Sequence, residues 1–496
     1  MAFKDDSAEE ADRYLFLAYL LVLFWVPLPV ASNHLWAWSF IELCVFALAI
    51  IWLVLFSMGR VSITPAFRRA WPALLLFAMV FAWAMFQLAP LPPSLIALLS
   101  PNGAEVYSYT QTDAALSLDP SGTRAAALKT LAYGLLFAMT LLLINRRSRL
   151  RTAAMVLMFS GVFQAAFGAL MTLSGLEYGF FIEKAHNIGV VTGTFVNPNH
   201  LAGYLEMCLA LGVGLMLADM STTPAADWRE SARRLLNTIL GDKARVRVAL
   251  IIMVIGLVLS KSRMGNMAFF TSLLVAGGYY VLVARRVTIG IVAFFVSVLL
   301  IDILIIGNFF GVERVAEEIR QTSVATEVAR VEVGRDALEI VRDYPLTGTG
   351  AGSFASTYPM YDSGNAGSWY YKYAHNDYLQ FAGEFGLPGL AMLAGIVLLS
   401  LWHAARAQIK RHDRMMRGLG CGVSMAIVAL LIHTAVDFNL QIPANAATFV
   451  VILAMGWHTR WLGHRSQARR RPTARASVES PAEVVSLPQE RAPAKA

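Results

Sequence analysis

The chain has 496 residues, of which 57% are hydrophobic and 15% charged, where soluble domains carry roughly a quarter charged. That balance excludes an ordinary soluble enzyme and makes the bilayer the main solvent of the fold. The net charge of +8 does not argue for nucleic acid, because the basic residues are concentrated in alternate loops between apolar runs.

Apolar runs close to the roughly 20 residues that cross about 30 Å of hydrocarbon lie near 14–31, 36–57, 71–90, 125–145, 152–174, 198–219, 246–260, 265–284, 287–307, 387–405, 417–436 and 443–461. They predict an all-α, polytopic integral membrane protein of about twelve transmembrane helices. The runs are continuous and rich in Leu, Ala, Met and Val, unlike the short alternating segments of a barrel, and a helix satisfies its own backbone in lipid. The first run follows the acidic stretch Asp5 to Arg13 and lacks a basic leader or a small-residue cleavage site, so it reads as a retained helix with no soluble domain before it. Cys44, Cys208 and Cys421 all fall inside apolar runs without metal-ligand spacing and read as packing residues.

One set of loops carries Arg60, Arg68 and Arg69; Arg146, Arg147, Arg149 and Arg151; Arg229, Arg233, Arg234, Lys243 and Arg245; Arg285 and Arg286; and Arg406, Lys410, Arg411, Arg414 and Arg417. The positive-inside rule makes these loops cytoplasmic, and an even helix count puts both termini with them. The expected organisation is a cytoplasmic N-terminus (1–13), helices one to nine (14–307), a large periplasmic loop (308–386), helices ten to twelve (387–461) and a disordered cytoplasmic tail (462–496) that includes Arg469, Arg470 and Arg471. Lys184, Lys261 and Arg263 then face outward, against the charge asymmetry of the rest. No repeat of fixed period or inverted second half is visible, which weakens a transporter reading without excluding it.

The chain has no Walker A loop, no dinucleotide glycine fingerprint, no HExxH and no Asp-x-Asp pair, so neither a nucleotide cofactor nor a metal is indicated. An outward-facing enzyme must then use a substrate that carries its own activation, such as a glycan on a lipid diphosphate. Arginine suits that leaving group, with a planar fork that grips phosphate oxygens bidentately. Arg263 sits in the outward turn Ser260-Lys261-Ser262-Arg263, at the depth of a lipid diphosphate; it either grips phosphate or snorkels to fix a helix end.

Between Glu313 and Tyr344 a partly helical apolar pattern predicts amphipathic helices on the outer face, carrying Arg314, Arg320, Arg330, Arg335 and Arg342. Each of these arginines is either a ligand group or part of a solvated face. Pro345 to Gly352, with glycines at 348, 350 and 352, predicts a break. Trp369-Tyr370-Tyr371-Lys372-Tyr373 suits the interface or stacking on sugars. His375 then stands at the mouth of the bilayer, as a base for a sugar hydroxyl or as part of a helix cap with Asn376 and Asp377.

These residues resemble the bacterial O-antigen ligases and the related O-antigen and exopolysaccharide polymerases. The resemblance rests on His375-Asn376-x9-Gly386-x2-Gly389, Arg330 followed by Ala337-Leu338 and Pro345-Leu346-x-Gly348-x-Gly350, the Ser262-Arg263 turn, Gly193-Thr194-Phe195-x-Asn197-x-Asn199-His200, and His433-x3-Asp437-Phe438-Asn439. It covers roughly residues 190–445, with Met264 where the family often has Gly and Gly334 where it often has Trp. It implies a metal-independent membrane glycosyltransferase of the bacterial inner membrane, with its active site facing the periplasm. The implied reaction moves a glycan from undecaprenyl diphosphate to an acceptor hydroxyl on a glycolipid or glycan. By position, Arg263 and Arg330 would hold the diphosphate and His375 would activate or orient the acceptor. Asn197, Asn199, His200, Asn376, Asp437 and Asn439 would line the site. No cofactor and no nucleic acid is implied; membrane lipids are partners.

Acids inside apolar runs are expensive and usually functional. Glu42 and Asp302 read as structural pairing residues, and Glu206, under two turns after Asn199-His200, is left open. A ligase, a polymerase joining lipid-linked repeat units and a protein-glycosylating relative share the donor chemistry. A glycan or lipid transporter, or a non-catalytic scaffold, are the readings from other classes.

Overall fold

The computed structural model describes residues 3–109, 114–179, 181–220, 229, 244–283, 291, 295–297, 323–364 and 370–463. In chain order the helices are α1 (Phe3–Trp25), α2 (Leu35–Ser57), α3 (Pro65–Arg69), α4 (Trp71–Gln87), α5 (Pro93–Leu99), α6 (Pro101–Ser108), α7 (Pro120–Leu143), α8 (Arg147–Leu173), α9 (Pro198–Asp219), α10 (Ala244–Leu259), α11 (Arg263–Val283), α12 (Ser323–Asp343), α13 (Phe354–Thr357), α14 (Asp377–Lys410), α15 (Arg414–His433) and α16 (Pro443–Trp461). Among the described residues the strands are a two-residue antiparallel pair, β1 (Tyr178–Gly179) and β2 (Ile182–Glu183). Seven helices among the described residues are long and apolar enough to cross a membrane, and the protein is an all-α, multi-pass membrane protein. Most of the run near 287–307, including Asp302, the residues Arg314 and Arg320, and the tail beyond 463 lie outside the described residues.

Helix α9 is the axis of the bundle, with every side chain from His200 to Leu217 buried. Lipid chains are as apolar as leucine, so helices in a membrane associate by close packing of small residues. A Cβ on Gly214 of α9 would stand 2.9 Å from the Gly418 carbonyl oxygen of α15, and one on Gly422 would stand 2.5 Å from the Ala210 carbonyl oxygen. The two backbones therefore touch. Buried polar groups find partners across helices: Tyr19 Oη and Thr140 Oγ1 lie 2.8 Å apart, and Trp457 Nε1 donates to Ser400 Oγ at 3.1 Å.

At one end of the bundle the first turn of α8 fastens three distant segments. Arg147 pairs with Asp413, Arg149 with Asp12 at 2.9 Å, and Arg151 with Asp219 at 2.6 Å. Lys184, expected to face outward, has a local reason to be there: its ammonium lies 2.7 Å from Glu177 Oε2 and 2.9 Å from the Val190 carbonyl oxygen. Glu42 and Lys129 both line a small pocket between α2 and α7. The sequence reading passed over Lys129, whose ammonium lies 4.3 Å from the Trp38 ring centre.

Outside the bundle, Val333, Ala337, Ile340, Tyr344, Phe354, Tyr358 and Ala374 form a second, smaller core. It joins α12 to the chain around α13 and makes a cap over the start of α14. That helix begins at Asp377, ten residues before the apolar run at 387, and is broken inside by Gly386 (φ 69°, ψ 172°). The break is a crossing of two backbones. A Cβ on Gly386 would collide with the Leu346 carbonyl oxygen, and one on Gly348 would lie 2.6 Å from the Gly386 nitrogen. The groups freed there are satisfied: the Leu387 N–H donates to Pro345 O at 2.8 Å, and Trp83 Nε1 donates to Phe385 O at 2.9 Å.

Candidate functional site

The end of the bundle away from the arginine fastenings carries the starts of α9, α11 and α14 and the turn after α15. Asn376 caps α14, its side-chain oxygen accepting the N–H groups of Tyr378 and Leu379 at 3.0 and 3.1 Å. Asp377 next to it binds the α15–α16 turn, accepting from the Leu440 N–H at 2.9 Å and from Gln441 Nε2 at 3.1 Å, while its own N–H donates to Thr434 O at 3.0 Å. This clamp holds His375 opposite Asp437.

His375 has φ 50°, a left-handed backbone that costs a non-glycine residue on the order of 1 kcal/mol and is tolerated where the surroundings demand it. Its Nδ1 lies 3.9 Å from Asp437 Oδ1, and His200 Nε2 approaches the same oxygen to 3.7 Å. Both distances are too long for hydrogen bonds, and His375 Nδ1, His200 Nε2 and Asp437 Oδ2 are buried without a bonding partner. Phe438 stands between the two imidazoles, edge-on to His375 at 4.8 Å and to His200 at 4.5 Å, with Tyr373 stacked against it at 4.5 Å. Tyr373 thus stacks inward, on protein.

Burial pushes the His375 imidazole down to about 4, with the charges of Arg330 and His200 acting the same way and Asp437 opposing them. Burial alone would raise Asp437, but the nearby His200, with the charge of His433 and the Phe438 N–H at 2.8 Å, holds the carboxyl below its usual range. At neutral pH the cluster is therefore a carboxylate beside a neutral imidazole, with the cationic Arg330 acting on it from α12. A neutral imidazole oriented by a carboxylate can take a proton from a hydroxyl.

The remaining sequence candidates separate into two groups. Arg263 is the exposed first residue of α11, on a turn where Lys261 has φ 53° and Ser262 Oγ accepts the Gly265 N–H at 3.2 Å. Asn199 sits half-buried in the first turn of α9. Asn197 is the N-cap of α9, accepting the Asn199 N–H at 2.8 Å. Asn439 is a fully buried strut whose side-chain oxygen accepts Asn445 Nδ2 at 2.9 Å and fills the space left by Gly203. Asn197 and Asn376 thus brace the site through the backbone, and Asn439 through Asn445. Sequence reasoning left Phe438 out of the site and gave no partner to Glu206, which bonds His433 across 227 residues of chain. A phenylalanine in an apolar context carries no chemical signal; the acid inside an apolar run did.

Fold and site together define a polytopic membrane protein with an arginine, two imidazoles and a carboxylate gathered under a cap at one end of its bundle. Residues 248–394 match the family model described as O-antigen ligase. The match supports glycosyl transfer in surface-polysaccharide biosynthesis as the type of activity for this membrane protein. The match runs from α10 to the middle of α14 and includes Arg263, Arg330 and His375, while His200, Glu206, His433 and Asp437 lie outside it. No curated protein matches the chain.

Proposed function

We propose that the protein transfers a glycan from undecaprenyl diphosphate to the hydroxyl of an acceptor glycolipid at the periplasmic face of the bacterial inner membrane, without a metal. The observation that carries this reading is the neutral His375, 3.9 Å from Asp437 and in the field of Arg330. Asp437 on the Nδ1 side leaves the Nε2 lone pair for the acceptor. The acceptor oxygen bonds to the anomeric carbon as the bond from that carbon to the diphosphate oxygen breaks. The electron pair leaves with the diphosphate, and the acceptor proton passes to His375. Arg263 and Arg330 hold the diphosphate, placing fixed positive charge where negative charge develops. Asp437 and His200 orient and surround the imidazole.

The test is to incubate purified protein with undecaprenyl-diphosphate glycan and either core lipid or a second donor molecule, in EDTA, and to separate the products on a gel. Modified core lipid is expected. Lengthened lipid-linked glycan would assign the chain to the polymerases instead, and no product with either acceptor overturns the proposal.

A further inference from the structure

The first half of the matched region 248–394 carries Arg263, and the chain outside that region carries Asp437. A pair of buried side chains lies between them. Glu206 Oε1 and His433 Nδ1 are 2.7 Å apart, and both side chains are wholly shielded from solvent. An acid and an imidazole are costly to bury, and a pair kept for rigidity alone is replaceable by apolar residues. Two further facts point beyond rigidity. Glu206 Oε2 and His433 Nε2, the outer atoms of the pair, are buried with no bonding partner from the protein. The pair also touches both halves of the site.

On the α11 side, a Cβ on Gly265 would lie 3.2 Å from Glu206 Oε1 and 3.0 Å from Ser262 Oγ. The missing side chain at 265 is what brings the carboxylate against the first turn of α11, where an anion meets the positive end of the helix. That turn is tied down further by Asn266, whose Nδ2 donates to the Ser262 carbonyl oxygen at 2.8 Å. On the other side, His433 is the last residue of α15. Thr434, which follows it, accepts the Asp377 N–H, and Asp437 lies less than one turn beyond that.

We infer that Glu206 and His433 are positioning residues for the lipid-diphosphate donor: a buried carboxylate and imidazole that set the Arg263 turn in register with Asp437 and His375. The inference rests on the reading that Arg263 grips the diphosphate. It separates the function of the pair from its packing, because register with Arg263 matters to the donor and not to the acceptor.

The experiment measures KM for donor and acceptor, and kcat per folded molecule, for Glu206→Gln, His433→Gln, His433→Leu, Arg263→Gln and the double variant Glu206→Gln with Arg263→Gln. Thermal melting in detergent accompanies each. Glu206→Gln is expected to raise the donor KM by about tenfold and to leave the acceptor KM within about twofold. The double variant should be no worse than Arg263→Gln, because the two act through one contact. His433→Gln keeps a nitrogen that donates to Glu206 and should hold the donor KM near the parent value, whereas His433→Leu should raise it. Equal rises in both KM values, or unchanged constants per folded molecule with only the yield reduced, would overturn the inference. Should Glu206→Gln fail to fold, the two His433 variants decide alone: equal donor KM values for them reject it. Arg263→Gln with a parental donor KM would defeat the reading of the diphosphate site itself, a separate result.

Discussion

Gly386→Ala tests whether the glycine that follows His375-Asn376 by nine residues is architectural. The new Cβ would meet the Leu346 carbonyl group, with its carbon 2.7 Å away and the Gly348 nitrogen at 3.0 Å. Both neighbours are backbone and neither can rotate aside. The backbone pair φ 69°, ψ 172° belongs to a region essentially restricted to glycine, costing an alanine about 1–3 kcal/mol. Relieving the collision moves residues 345–350 and weakens the bonds from Thr349 N–H to Gly383 O at 2.8 Å, Gly350 N–H to Glu384 O at 3.0 Å and Gln87 Nε2 to Thr347 O at 2.7 Å, each worth about 1 kcal/mol. The total loss is roughly 3–6 kcal/mol. Melting of the detergent-purified protein, followed by the fraction that remains monodisperse, should fall by about 5–10 °C. Gly278→Ala, with nothing within 4 Å of its new methyl, is the control and should melt at or slightly above the parent temperature. A Gly386→Ala protein that melts with the control would refute the crossing as the reason for this glycine.

Three other outcomes are expected. His375 is held near 4 when folded against a usual value of 6.5, so the unfolded chain binds the extra proton between those values and stability falls as pH drops from about 6.5 to about 4; His375→Gln should flatten that part of a melting-temperature profile. Arg330→Gln removes a charge that pushes the imidazole down, so the acid limb of the rate profile should move to higher pH, whereas Arg330→Lys should leave the limb in place and raise the donor KM by losing the bidentate fork; an unmoved limb in both counts against the contact. Gly214→Val should sharply reduce folded yield, because its Cβ starts 2.9 Å from Gly418 O, and normal yield would contradict the close α9–α15 packing.

Runs of apolar residues mark the helices well where lipid or apolar protein is the partner, as in α2 and α9. They fail at the start of α14. Asp377, Gln380 and Glu384 are buried there, and polarity hid the helix because their partners come from elsewhere: Glu384 Oε2 accepts the Gly352 N–H at 2.9 Å, from a loop that a local pattern does not see. The site divides in the same way. His375 and Arg330 stand in local motifs, and the fold brings Arg330 into the electrostatic environment of His375. Asparagines in such motifs are ambiguous, since capping and ligand binding ask for the same side chain, and here Asn197 and Asn376 are caps. The Glu206–His433 pair joins segments that no spacing connects, so only the cost of an acid in an apolar run hinted at it.

The fastening at the far end of the bundle also dictates an order of assembly. Arg147, Arg149 and Arg151 reach for Asp413, Asp12 and Asp219, drawn from late, early and middle stretches of the polypeptide. A growing chain delivers its N-terminal parts first, so Asp12 and Asp219 are available early, while Arg147 lacks its counterpart until translation has passed Asp413. The Arg147–Asp413 rivet closes last, over a bundle whose earlier helices are already threaded.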